Sequence, residues 1–445
     1  MRSELTRRNA LLLGISGAAL AATGASGQSA SNVKAADVAA PSLPIKKGAT
    51  LRMLRPVRFV QADEDVFRSN AAKFTEKTGV AVKVDFVGWE DINQQTAVTS
   101  NSGAGPDIII GFGDAPHIYV DKLVELTDVA DYLGKRYGGW LFLAEKYGKR
   151  YNSNTWIGLP FGASGGPLVY RKSMVKAAGF DKVPDDHAGF LDLCQKLQKA
   201  GKPAGFALGN AVGDGNGFAS WLLWSHGAAL LDEQGNVVIN SKETVAALNY
   251  LKKLYPTFIA GTPSWNDVSN NRAYAAQDIS LTSNGVSLYF SLKNDPATAP
   301  IADDTEHQFM PMGVAKSSPM SGLTLNAMVF KHSQYPNAAK AFLQFMLEKE
   351  QYEPWLNANS GYWAQPLAAY ADAAVWSGDP KVSIFKDTMK NQFWNGYAGP
   401  ISTATGAVNA DYVLVQMCAS VATDAATPEA AAAEAERRAK RYFRR

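Results

Sequence analysis

Apolar and polar residues alternate from Val80 to Phe86, with Val80, Val82, Val84 and Phe86 on one side, the period of a half-buried strand. Just upstream, Phe67, Ala71 and Phe74 recur at i, i+4 and i+7, which predicts a helix over 64–78 that Gly79 can end. A short strand at Thr50–Leu54 precedes this helix. A helix from Trp89 to Ser102 leads to the unbroken apolar run DIIIGF, a buried strand. Strand, helix, strand, helix, strand in this order predicts a parallel sheet with right-handed crossovers. Ligands of such sheets sit beyond the carboxyl ends of the strands, which groups Arg55, Trp89, Phe112 and Asp114 around one crevice.

The stretch 156–172, WIGLPFGASGGPLVYRK, joins two extended segments through a glycine-rich bend with Phe161 at its edge. It reads as a crossing between two lobes. Beyond it, helices are predicted at 174–179, 188–200, 218–230, 242–255, 336–350 and 429–442, and short strands at 205–208 and 279–281. At 445 residues the chain is longer than one core usually supports, so two lobes are expected.

Charge and composition narrow the function. The net charge is +3, and residues 1–30, with three Arg and one Glu, carry +2 of it, so nucleic acid has no electrostatic footprint. Arg7-Arg8, the uncharged run 10–22 and the small-residue segment TGASGQSA make residues 1–30 an export signal of twin-arginine type, an ordinary secretion signal being the alternative. A flexible tether is expected at 31–48, and the mature chain in the periplasm. Cys194 and Cys418 are read as two buried thiols, one disulfide being the alternative, and the five scattered His residues give no zinc motif. No metal and no cofactor are expected. Asp214 and Asn216 in GDGNG are oxygen donors but lack the rest of a calcium loop, so a flexible loop is preferred there.

Three long segments then carry a resemblance: VYRKSMVKAAGFDKVPDDHAGFLDLCQKLQKAGKPAGFAL (169–208), HGAALLDEQGNVVINSKETVAALNYLKKLY (226–255) and VFKHSQYPNAAKAFLQFMLEKEQYEPWL (329–356). In this order and spacing the chain resembles the extracellular sugar-binding proteins of bacterial ABC importers, the maltose-binding-like group. The resemblance implies an α/β fold of periplasmic-binding-protein type, two lobes joined by a multi-crossing hinge with the ligand cleft between them. It places the N-terminal lobe at 49–162 and 306–350 and the C-terminal lobe at 163–305 and 351–445. It also implies a monomer that hands its ligand to the transmembrane subunits of a permease. Two departures from the family pattern stand out: Asp186-His187-Ala188-Gly189 at a helix start, and the loop at 277–284.

A sugar presents hydroxyls and weakly polar C–H faces, so its site needs aromatic planes and fixed hydrogen-bonding groups. Candidates by matched position are Phe112, Asp114, Phe161, Ser164, Trp221, Asn284 and Trp363, joined by Arg55 and Trp89 from the strand-end loops. Asp114 has a second reading as a helix cap, and each aromatic has one as core. An Arg55 or Arg58 turned into the cleft would instead favour an anionic solute, such as a sulfonated sugar or a polyol phosphate. An exported glycoside-active enzyme is the minor alternative. It would need two positioned carboxylates, and no GxSxG motif is present.

Overall fold

The alternating stretch folds as β2 (Ala81–Val87), parallel to β1 (Thr50–Pro56), and β1 is paired on its other edge with β3 (Ile108–Phe112), also parallel. Helices α1 (Gln61–Thr78) and α2 (Ile92–Ser102) make the crossovers, each ending on a left-handed glycine, Gly79 and Gly103. The computed structural model describes residues 31–315, 319–390 and 392–444. The expected export signal lies outside them. No helix among the described residues is long and apolar enough to cross a membrane.

The sheet does not end at β3. The chain returns much later as β8 (Gly322–Val329), antiparallel to β3, and β4 (Leu159–Gly165) closes the order β2-β1-β3-β8-β4. A second sheet has β5 (Leu168–Arg171) at its centre between β6 (Leu281–Ser283) and β7 (Thr305–Gln308), all antiparallel. β4 and β5 are only two residues apart yet lie in different sheets, so 156–172 is a crossing between sheets, as its glycines suggest. The segment between β7 and β8 crosses back. The stretch predicted as a strand at 205–208 makes no ladder; only Ala204 beside it forms isolated bridges.

Three of the expected boundaries change. The N-terminal lobe does not resume at 306, because β7 (Thr305–Gln308) pairs with β5 in the second sheet. The segment 31–48 is no free tether. Val33 is buried, Ala36 N–H donates to Arg136 O at 2.8 Å, Lys349 Nζ donates to Val33 O at 2.7 Å, and Val38, Leu43 and Ile45 pack on the first core. Apolar residues spaced along it, Val33, Val38, Leu43 and Ile45, give it enough surface to dock. Nor does the C-terminal lobe begin at 351. The helix Lys349–Ala358 packs on α1, and Tyr352, Trp355, Leu356 and Tyr370 sit in the same core as β1–β3. The helices Thr403–Ala410, Val413–Ala422 and Pro428–Phe443 do serve the second core, the last burying Ala431, Ala432, Ala435 and Ala439 along one face. Cys194 and Cys418 are both free and buried.

Candidate functional site

Where the two sheets face each other, their loops enclose a cleft of about 120 Å³. Of the nine candidates, Trp89, Phe112, Asp114, Ser164, Trp221 and Asn284 line it. Trp89 and Phe112 stand at the strand ends of the first sheet, tilted against each other at 4.8 Å between ring centres. Trp221 is almost wholly buried, its Nε1 donating to Pro311 O at 2.8 Å. The Asn284 amide donates to Asn271 Oδ1. Ser164 lies opposite Gly285, where a Cβ would come within 2.6 Å of its Oγ and 2.8 Å of the Tyr362 ring. Only glycine lets those walls approach so closely.

The other three candidates lie elsewhere. Arg55 is buried beside α1, its two terminal nitrogens donating to Asp63 Oδ1 and Oδ2 at 3.0 and 2.8 Å, with its guanidinium 4.5 Å from the Phe67 ring. Phe161 is core, against Phe67 and Trp355, with Tyr352 Oη donating to its carbonyl at 2.5 Å. Trp363 lies one layer behind the wall, stacked on Trp89 at 5.9 Å and 18°. Its neighbour Tyr362 lines the cleft instead. The two residues sit in the turn that follows the helix Lys349–Ala358, with Tyr362 N–H donating to Asn359 O at 2.9 Å, and no sequence signal told which of them would face the cleft.

Sequence reasoning also missed the carboxyls that set the electrostatics. Asp267 is buried at the cleft and folds the turn before the helix Asp214–Ser225: its Oδ2 accepts from Val212 N–H at 2.7 Å, and its Oδ1 from Gly213 and Asp214 N–H at 2.8 Å each. Burial pushes its carboxyl above the usual range, although those N–H groups pull it down. GDGNG is thus a fixed helix start, not a flexible loop. Among the described residues no group of three or more His, Cys, Asp or Glu could hold a metal ion. Asp214 also lines the cleft, and burial, with Asp267 nearby, holds its carboxyl well above the ordinary value. No Lys or Arg is among the described residues that line the cleft.

Asp114 makes no side-chain cap bond; both its oxygens take the Asn395 amide at 3.0 and 3.1 Å. Burial pushes its carboxyl up to about 7 against this bond. Between the ordinary value of 3.8 and about 7, the folded protein keeps a proton that the unfolded chain has lost. Its stability therefore falls as pH rises through that window, by at most roughly 4 kcal/mol. Unfolding midpoints measured at pH 5 and pH 8 are expected to differ less in Asp114→Asn than in the wild type. An equal difference in both would remove Asp114 as the source.

A cleft between two α/β lobes, walled by aromatic rings and hydrogen-bonding side chains, defines a solute-binding protein. The family model for bacterial extracellular solute-binding proteins matches residues 70–384. The chain belongs to that family, the solute-binding components of ABC transporters, which work outside the cytoplasm. It is 24% identical over 330 residues, 71% of its length and 73% of the other's, to an Escherichia coli K12 chain named as an ABC transporter periplasmic-binding protein, YcjN. Among solved structures it resembles a sugar transporter protein of Arthrobacter chlorophenolicus A6 with bound laminaribiose (17% identity, TM-score 0.75, 89% of this chain and 100% of that one). It also resembles an ABC transporter solute-binding protein of Agrobacterium radiobacter K84 in complex with ribitol (19%, TM-score 0.71, 89% and 99%). At these identities the two structures establish the fold.

Proposed function

We propose that this chain captures a neutral sugar or polyol in the periplasm and delivers it, as a monomer, to the transmembrane subunits of an ABC permease, after export directed by the Arg7-Arg8 signal. The observation that carries the reading is the charge of the cleft. Asp114, Asp214 and Asp267 make the cleft carboxyl-lined, Trp89, Phe112 and Tyr362 supply apolar faces, and no cation among the described residues lines the wall. A sulfonate or phosphate there would meet three carboxyls and no counter-charge. The two arginines that would have favoured such a ligand are committed elsewhere, Arg55 to Asp63 and Arg58 to Glu64 at 2.5 Å. The laminaribiose- and ribitol-bound relatives support a polyhydroxyl ligand of this kind. The protein is a receptor without chemistry of its own, in which ligand favours the closed form because only that form contacts it from both lobes.

The test is thermal unfolding of the mature protein against maltose, laminaribiose, D-tagatose, ribitol and D-mannitol, with glucose 6-phosphate and a sulfonated sugar as anionic controls. A neutral ligand at 100 times its dissociation constant is expected to add about 2.7 kcal/mol and raise the midpoint. Recovery of that ligand unchanged supports a receptor. A response only to the anionic compounds, or hydrolysis of a disaccharide, would overturn the reading.

A further inference from the structure

We infer that Asp214 is the residue to which the ligand donates a hydroxyl hydrogen, through Oδ2, and that Asp267 is the group that positions it. The inference rests on the neutral sugar or polyol reading above, and it separates three carboxyls that composition alone makes equivalent.

The three differ in what already occupies them. Asp267 has both oxygens filled by the backbone N–H groups of Val212, Gly213 and Asp214. It is part of the frame. Asp114 has both oxygens on the Asn395 side-chain amide, and the Asn395 backbone N–H donates to Tyr147 Oη at 3.1 Å. Asp214 has an Asn270 side-chain hydrogen bond, but its Oδ2 is buried and accepts from no donor among the described residues. A buried acceptor without a donor is costly, and native proteins rarely leave one so unless a ligand or water completes it.

The position is also rigid. Asp214 opens a twelve-residue helix. It stands between Gly213, whose Cβ would lie 3.1 Å from Asp267 Oδ1, and Gly215, whose Cβ would lie 2.5 Å from Gly209 O. Its backbone N–H is tied to Asp267. A carboxylate held from both sides in this way selects by direction as well as by charge. The partner it calls for is an O–H donor. An ammonium ligand would also satisfy it, and the experiment separates the two.

The titratable groups that act on it are Asp267 and Tyr362, both acidic in kind, and burial with Asp267 outweighs the Asn270 hydrogen bond, so Asp214 keeps its proton until a donor arrives. Capture of a hydroxyl donor therefore releases a proton, and affinity rises with pH.

The experiment is titration calorimetry of the full mature chain with whichever of maltose, laminaribiose, D-tagatose, ribitol and D-mannitol gives the largest midpoint shift, at pH 5.5 and 7.5 and in two buffers of different ionisation enthalpy. Asp214→Asn is expected to weaken binding by roughly 10- to 100-fold while the ligand-free midpoint stays level or rises. It is also expected to abolish the part of the proton release that the wild type shows and Asp114→Asn retains. Asp267→Asn is expected to lower the ligand-free midpoint as well as the affinity. Wild-type affinity and proton release in Asp214→Asn would overturn the inference and leave the receptor reading standing. Tighter binding of an amino sugar than of its neutral parent would overturn the hydroxyl donor. A panel with no neutral hit would remove the reading beneath both.

Discussion

Replacing Arg55 with alanine is expected to lower the folding free energy by about 3–5 kcal/mol while leaving ligand affinity unchanged. Arg55 looked like a cleft residue because it ends a strand, where ligands of parallel sheets gather. In the structure its side chain is 1% exposed, forked onto both oxygens of Asp63 and laid over Phe67, with Phe86 5.2 Å away. Asp63 takes in addition the Trp355 Nε1–H at 2.5 Å, so the pair also ties α1 to the helix Lys349–Ala358. Truncation leaves a buried carboxylate with a single donor, which is why breaking one side of a buried pair costs far more than an exposed ion pair is worth. Arg55→Lys should recover only part of the loss, since one ammonium cannot reproduce the forked geometry. Urea unfolding with calorimetry on the still-folded variant checks this. Full stability with weakened binding would return Arg55 to the cleft.

Trp89→Ala carries the second large effect, on stability and affinity together. Trp89 lies at the centre of a ring cluster: Trp363 stacks behind it, Phe112 lies 4.8 Å away, Phe59 meets it edge-on at 4.7 Å, and its Nε1 donates to Val57 O at 2.8 Å. Removing the indole opens a void lined by these rings and strands the Val57 carbonyl, a loss of about 3–5 kcal/mol. It also removes a plane of the cleft wall, expected to weaken a sugar by about tenfold or more. Trp89→Phe separates the two, because it keeps a ring face and loses the hydrogen bond. It should bind nearly as the wild type does while melting lower. An unchanged affinity in Trp89→Ala would make the residue core alone and leave Tyr362 and Phe59 as the ligand-facing planes.

Much of the first lobe was legible because its signals are local. The i, i+4, i+7 pattern of Phe67, Ala71 and Phe74 and the alternation from Val80 need only neighbouring residues, and both elements formed as written. The same holds for DIIIGF, whose unbroken apolar run matches a strand buried on both faces. Where contacts come from far away the reading weakened. β8 pairs between β3 and β4 although two hundred residues separate it from β3, and nothing in GLTLNAMV states its partners. Residues 31–48 look like tether by composition, yet Arg136, Asn337 and Lys349, distant in the chain, hold them.

The chain by itself determined the class: two lobes, a crossing at 156–172, strand-end loops as the place of the site, and six residues that reach the cleft. Periodicity and glycine placement encode the crossing and the strand ends, while the cleft between lobes and most of the six residues were carried by the resemblance of the long segments to the sugar-binding family. Only the tertiary structure decided which side of each segment faces the cleft. The turn after the helix Lys349–Ala358 put Tyr362 rather than Trp363 on the wall, and Asp63 on α1 took the Arg55 side chain. The electrostatic character of the site was likewise a tertiary matter. Asp114 and Asp214 stood out in the sequence singly and Asp267 not at all, and the three make an acceptor-rich cleft, with no Lys or Arg among the described residues lining it, only where folding brings them together and gives two of them partners from elsewhere in the chain.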